Sequence, residues 1–165
     1  MLKFIEGDDL VREFHKLMKK STSSNLAVAF SGKNASARLN IKKGSNIKII
    51  CNLKSGACNP DEIQKLRSLI EIKTHDQIHA KVYLTDNGAI IGSSNASANG
   101  LAVSALEASG WREANIVVDD RKLLASIKIW FGKMWKDARP IKSSDIELAR
   151  TLWAKRRQLV AQEQA

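Results

Sequence analysis

Apolar positions along this chain fall into short continuous runs that alternate with longer stretches spaced three and four apart. Asp9–Lys20 carries Leu10, Phe14, Leu17 and Met18 at helical spacing, which predicts an amphipathic helix. Leu26-Ala27-Val28-Ala29-Phe30 is continuous, as in a strand buried on both faces. Ser31-Gly32 ends that run, and Asn34–Lys42 reads as a short helix. Ile47–Cys51 is a second buried strand. Asn59-Pro60-Asp61-Glu62 then combines a capping side chain, a proline at the first helical position and first-turn acids. It opens a helix to about Leu69, followed by a third strand at Ile70–Lys73.

The next apolar runs are Val82 with Leu84, and Ala89-Ile90-Ile91, separated by Asp86-Asn87-Gly88. Asn-Gly between two such runs predicts a hairpin whose central residues both take positive φ. The hairpin returns Gly92-Ser93-Ser94-Asn95 beside His79 and Lys81, which share a face if that segment is extended. A small-residue loop or helix start follows Asn95, then a strand at Glu113–Val118. Asp120–Lys136 places Leu123, Leu124, Ile127, Trp130, Phe131, Met134 and Trp135 on one side of a helix. Pro140 breaks the chain, and Ser144-Asp145-Ile146-Glu147 has capping-box spacing at the start of a last, peripheral helix, about 144–162. The alternation implies an α/β fold, a mixed sheet sandwiched between helices, and residues 1–165 read as one domain without repeats or low-complexity linkers.

Composition narrows the partners. A net charge of +10 on 165 residues favours polyanions, either nucleic acid or an anionic membrane surface. No apolar run approaches the ~20 residues needed to cross a bilayer, and Met1-Leu2-Lys3-Phe4-Ile5-Glu6 turns acidic too soon for a secretory signal. Cys51 and Cys58 are too few for a disulfide scaffold and read as reduced thiols in a cytoplasmic protein. With His75 they offer three zinc-type ligands, but the spacing fits no compact zinc module, so no metal or cofactor is expected.

A lone His-x-Lys carries little information. Here His79-x-Lys81 is followed by Asp86 and by Gly92-Ser93-x-Asn95, and that set resembles the signature of the phospholipase D superfamily. Five residues separate Asp86 from Gly92 where the usual pattern has six, a difference that a shorter hairpin tip absorbs. Glu113–Val118 resembles the acidic-then-apolar strand of the superfamily's small bacterial endonucleases. The likeness is strong over Ile78–Val118 and rests on the order of elements over roughly 25–137.

The resemblance implies a phospholipase D-like fold and a metal-independent phosphodiesterase that works through a covalent phosphohistidine on His79. Lys81, Ser93 and Asn95 have the chemistry to hold phosphate oxygens. Glu113 is expected to fix His79 through its other ring nitrogen, with Glu107 as the rival for that role. One signature copy supplies one histidine, and the leaving oxygen needs a second. A symmetric homodimer with one shared site is therefore expected. Basic charge and small size favour DNA, with RNA as an alternative, and no membrane partner; a separate specificity domain or subunit is compatible with this. Two rivals stand: a hydrolase of phospholipids or other phosphodiesters, and a nucleic-acid-binding module that keeps the fold without turnover. Asp86 reads as a turn residue rather than a catalytic one. His15 reads as solvated or capping, and His75 as a loop residue. Trp130, Trp135 and Trp153 read as core or dimer contacts. Lys155-Arg156-Arg157 reads either as phosphate-contacting or as complementing a helix dipole.

Overall fold

The computed structural model describes residues 1–96 and 112–163. Along the chain the elements are β1 (Leu2–Glu6), α1 (Leu10–Met18), β2 (Ser24–Val28), α2 (Ala35–Arg38), β3 (Ile47–Cys51), α3 (Pro60–Leu69), β4 (Glu71–Thr74), β5 (Lys81–Thr85), β6 (Ala89–Gly92), β7 (Ala114–Val118), α4 (Arg121–Asp137), β8 (Arg139–Pro140) and α5 (Ser143–Glu163). Eight strands form one mixed sheet in the order β1-β7-β6-β5-β2-β3-β4-β8. β2, β3 and β4 run parallel, while β5 joins β2 antiparallel and continues through β6 and β7 to β1, each antiparallel to the last.

The continuous apolar runs form the middle of this sheet because alternate residues leave opposite faces. Leu26, Val28, Ile49, Cys51, Tyr83 and Ile90 pack on one side with Leu10 and Phe14 of α1, Ile63 and Leu66 of α3, and Ile146 and Ala149 of α5. Ala27, Ile50, Val82 and Leu84 pack on the other with Ile127 and Phe131 of α4. Both faces are thus covered, as a sheet apolar on both sides requires. The helix starts follow their sequence signals. Asn59 accepts from the Glu62 amide at 3.0 Å with Pro60 at the first helical position, and Asp120 accepts from the Leu123 amide at 2.8 Å.

Four features depart from the sequence reading. First, β1 and β8 were not anticipated. Second, the tip of the β5–β6 hairpin is not a positive-φ turn: among the described residues only Asn34, Asn40, Gly44 and Gly56 have positive φ. The tip is held by tertiary bonds. Asp86 accepts from the amides of Thr22 (2.7 Å) and Ser23 (3.0 Å) and from the hydroxyls of Ser21, Thr22 and Ser23. These bonds hold its carboxyl far below the usual range. Gly88 is needed for space, since a Cβ there would lie 2.8 Å from Leu17 and 3.1 Å from the Val118 carbonyl. Third, α5 begins at Ser143, so Ser144 is not its cap. Asp145 instead accepts from the Lys142 amide at 2.7 Å and from Arg139. Fourth, His15 is half-buried, and its Nε2 is enclosed without a hydrogen-bond partner among the described residues. The segment expected as a loop or helix start after Asn95, and Glu107, fall beyond Ala96 outside the described residues.

Candidate active site

The site lies where β5 begins, β6 ends and β7 begins, beside the end of β2. His79 precedes β5 by two residues, in irregular chain held by the Ala29 amide donating to the Ala80 carbonyl at 3.0 Å. Lys81 opens β5 and turns back on His79. Its ammonium donates to the ring Nε2 at 3.0 Å and to the His79 carbonyl at 3.2 Å. Such a bond needs an unprotonated Nε2, which places the ring proton on Nδ1 when the lysine is charged. Burial lowers the Lys81 pKa, and the Glu113 carboxylate opposes that shift.

Gly92 must be a glycine because β7 passes directly behind it. A Cβ would overlap the Ala114 carbonyl and the Asn115 side chain, and would lie 2.6 Å from the Asn115 Cα. The same closeness lets Ser93 bridge the strands. Its amide donates to the Ala114 carbonyl at 3.1 Å, its Oγ accepts from the Ala114 amide at 3.1 Å, and its hydroxyl donates to the Glu113 carboxylate. Glu113 is held in turn by Gly7, whose amide donates to the Glu113 carbonyl at 3.0 Å. Among the described residues no hydrogen bond joins Glu113 to His79, so its placement differs from the one expected. Its carboxylate engages Ser93 and acts on Lys81 through its charge.

Asn95 accepts from the Phe30 amide at 3.2 Å through its carbonyl oxygen, which leaves the NH2 end as the group with protons to give. Phe30 was not anticipated as a site residue, because it reads as the end of an apolar strand. Its ring packs edge-on against His79 at 5.7 Å, with the Lys81 ammonium 5.9 Å from its centroid. Beneath lies a buried polar net that sequence reasoning also missed. Tyr83 donates to the Ser94 carbonyl at 3.1 Å, the Asn115 oxygen accepts from the Ser94 amide at 3.3 Å, and the Asn115 NH2 donates to Ser94 Oγ at 2.9 Å. The visible signal was Asn115 itself, a polar residue inside the apolar run Ala114–Val118. Of the other candidates, Asp86 sits at the opposite end of β5, and His75 accepts from the Gln77 amide within its own loop. Cys51 and Cys58 are free and buried in the core. Among the described residues no three His, Cys, Asp or Glu side chains are placed to hold a metal ion together.

The five motif residues therefore come together as an imidazole whose Nε2 lone pair is held by a lysine ammonium, that cation itself, two neutral hydrogen-bonding groups and a carboxylate. That set can attack an electrophilic centre while neutralising charge on it. None of the curated proteins matches the chain. Among solved structures it is similar to NucT from Helicobacter pylori, with 16% identity over 86% of this chain and 100% of that one, TM-score 0.65. It is similar also to Nuc, a phospholipase D family member from Salmonella typhimurium, with 19% identity over 87% and 99%, TM-score 0.66. TrmBL2, an archaeal chromatin protein with a novel mode of DNA binding, shares 11% identity over 85% of this chain and 54% of its own, TM-score 0.51. Residues 15–135 match the family described as cardiolipin synthase, PLD-like domain. That span is well over half of the sequence, and the chain belongs to the phospholipase D-like family.

Proposed function

We propose that this protein is a metal-independent phosphodiesterase that cleaves nucleic acid, DNA in preference to RNA, through a covalent phosphohistidine on His79. The observation that carries the reading is the convergence of His79 and Lys81 with Ser93, Asn95 and Glu113 at one end of β5, β6 and β7. In the free protein the Lys81 ammonium sits on His79 Nε2 at 3.0 Å. A bound phosphodiester offers that ammonium a charged oxygen, which frees the Nε2 lone pair to attack phosphorus. The phosphorus–oxygen bond to the leaving group breaks, its oxygen takes a proton, and water then releases the phosphate from the imidazole. Lys81 and the Asn95 amide neutralise the equatorial oxygens as charge builds.

One histidine cannot attack and protonate the leaving oxygen in the same step, so the reading includes a symmetric homodimer in which the partner's His79 supplies the proton. An apolar strip beside the site supports this. Phe4 pairs with Ile116 in register, and Leu2, Phe4 and Ile116 are exposed to 75%, 65% and 38%. Glu113 immediately precedes the strand that carries Ile116. The +10 charge and the similarity to Nuc and NucT favour nucleic acid over lipid. In the described residues no helix is long and apolar enough to cross a membrane. The two free thiols suit a reducing cytoplasm. The similarity to TrmBL2 favours one second reading, DNA binding without turnover.

Cleavage of plasmid and single-stranded oligonucleotides in excess EDTA tests the proposal. Turnover by the wild type that is lost in His79→Ala is the expected result. Equal turnover by both places the chemistry elsewhere, and binding without turnover by either supports the second reading.

A further inference from the structure

The family match ends at residue 135, whereas α5 spans Ser143–Glu163 and reaches the site from outside that span. Its position is set by packing. Ile146 and Ala149 are core residues at 3% and 1% exposure, and Arg150 pairs with Asp61 of α3 at 2.9 Å. Leu152 lies against Gly56, where a Cβ would approach it to 3.1 Å. Arg156 is one turn further on, four residues from Leu152 and so on the same face of the helix. Its guanidinium carbon lies 5.9 Å from the centre of the Phe30 ring, the ring that also contacts His79 and has Lys81 at 5.9 Å.

Arg156 is exposed and, among the described residues, forms no ion pair with a carboxylate. Two cations thus flank one aromatic ring beside the nucleophile, at most about 12 Å apart. A nucleic acid strand covers that span in about three to four nucleotides, at ~3.4 Å of helix axis each. We propose that Arg156 is a further phosphate-binding residue of this site, one that grips a phosphate of the same strand up to a few nucleotides from the one being cleaved. The inference rests on the nucleic-acid reading above. It makes α5 an addition to the family site that favours an extended strand over an isolated phosphodiester. A guanidinium suits this task because its planar fork binds two phosphate oxygens at once while its face stays on the ring.

The test is binding, so that it does not depend on turnover. A fluorescein-labelled single-stranded 20-mer is titrated with wild type, Arg156→Ala, Arg156→Lys and Arg67→Ala at several salt concentrations. Arg67, exposed near the end of α3 where β4 begins, controls for the loss of one positive charge away from the site. Arg156→Ala is expected to raise Kd roughly five- to tenfold at low salt and to reduce the slope of log Kd against log salt by about 0.7, one single-strand phosphate contact. Arg156→Lys keeps most of the slope, and Arg67→Ala leaves it near the wild-type value. An unchanged slope in Arg156→Ala, or an equal change in Arg67→Ala, overturns the assignment. A wild type that binds the strand without cutting it defeats the proposed reaction, while Arg156 is still judged on the slope.

Discussion

Gly92 offers the sharpest test of how the site is built, because the same substitution elsewhere in the chain should act in the opposite direction. In Gly92→Ala the new Cβ lies 2.6 Å from the Asn115 Cα, where ordinary contact begins at 3.4 Å, so β6 and β7 must separate by about 0.8 Å. The obstacle is backbone and cannot swing aside. A shift of that size takes the two 3.1 Å bonds between Ser93 and Ala114 out of hydrogen-bonding range. Two lost bonds at about 0.5–1.5 kcal/mol each, with overpacking of about 1–3 kcal/mol, bring the cost to about 4 kcal/mol. For a domain of this size that lowers Tm by roughly 8–16 °C. The control is Gly132→Ala. Gly132 lies inside α4 with nothing within 4 Å of an added Cβ, so alanine gains helix propensity of about 0.5–1 kcal/mol. Its Tm should rise by roughly 1–4 °C. Both are read by calorimetry at one protein concentration, since association would itself shift Tm. A Gly92→Ala variant that melts within about 2 °C of wild type would refute the close packing of β6 on β7.

Two other substitutions probe charge. Asp86 is held below its ordinary pKa by the Thr22 and Ser23 bonds, so its contribution is complete above the unfolded value of about 4 and fades as pH falls below it. Because the carboxylate is exposed, Asp86→Asn should cost only about 1–2 kcal/mol at pH 7, and the gap from wild type should close toward pH 2; urea unfolding at pH 7 and at pH 3 checks both. A constant gap would mean that its charge is irrelevant. Glu113→Gln removes the negative charge that opposes burial at Lys81, so the Lys81 pKa should fall further. NMR of 13Cε-labelled lysine reads it directly, and an upward shift would contradict the placement of Glu113.

What was legible in the sequence follows from where each signal resides. β3 matched to the residue because Ile47–Cys51 is a β-branched run buried on both faces, with a local pattern that admits no other reading. β1 was invisible because only Ile5 of Leu2–Glu6 is buried, while Leu2 and Phe4 face outward. β8 is two residues long and contains a proline, and exists only through its pairing with β4. The motif residues could be found because their chemistry is unusual for strand ends. Phe30, Tyr83 and Ser94 could not, since each looks like ordinary strand or loop, and their roles arise from contacts with segments far along the chain. The Asn-Gly hairpin was located correctly but its turn geometry was not, because Asp86 and its partners at Ser21–Ser23 override the local preference.

The pairing of β1 with β7 bears on solubility. β7 carries Asn115 and follows directly on Glu113, and it has β6 on one side and only β1 on the other. Were β1 to detach, the strand that backs Gly92 and Ser93 would become a bare sheet edge, its unpaired amides and carbonyls open to any passing chain. β1 thus serves as an edge guard, carrying Lys3 and Glu6 on the outermost strand, where charge discourages further strand addition. Substitutions in Leu2–Glu6 that loosen this pairing would then surface as aggregation, in addition to any effect of Leu2 and Phe4 on the proposed association of two copies.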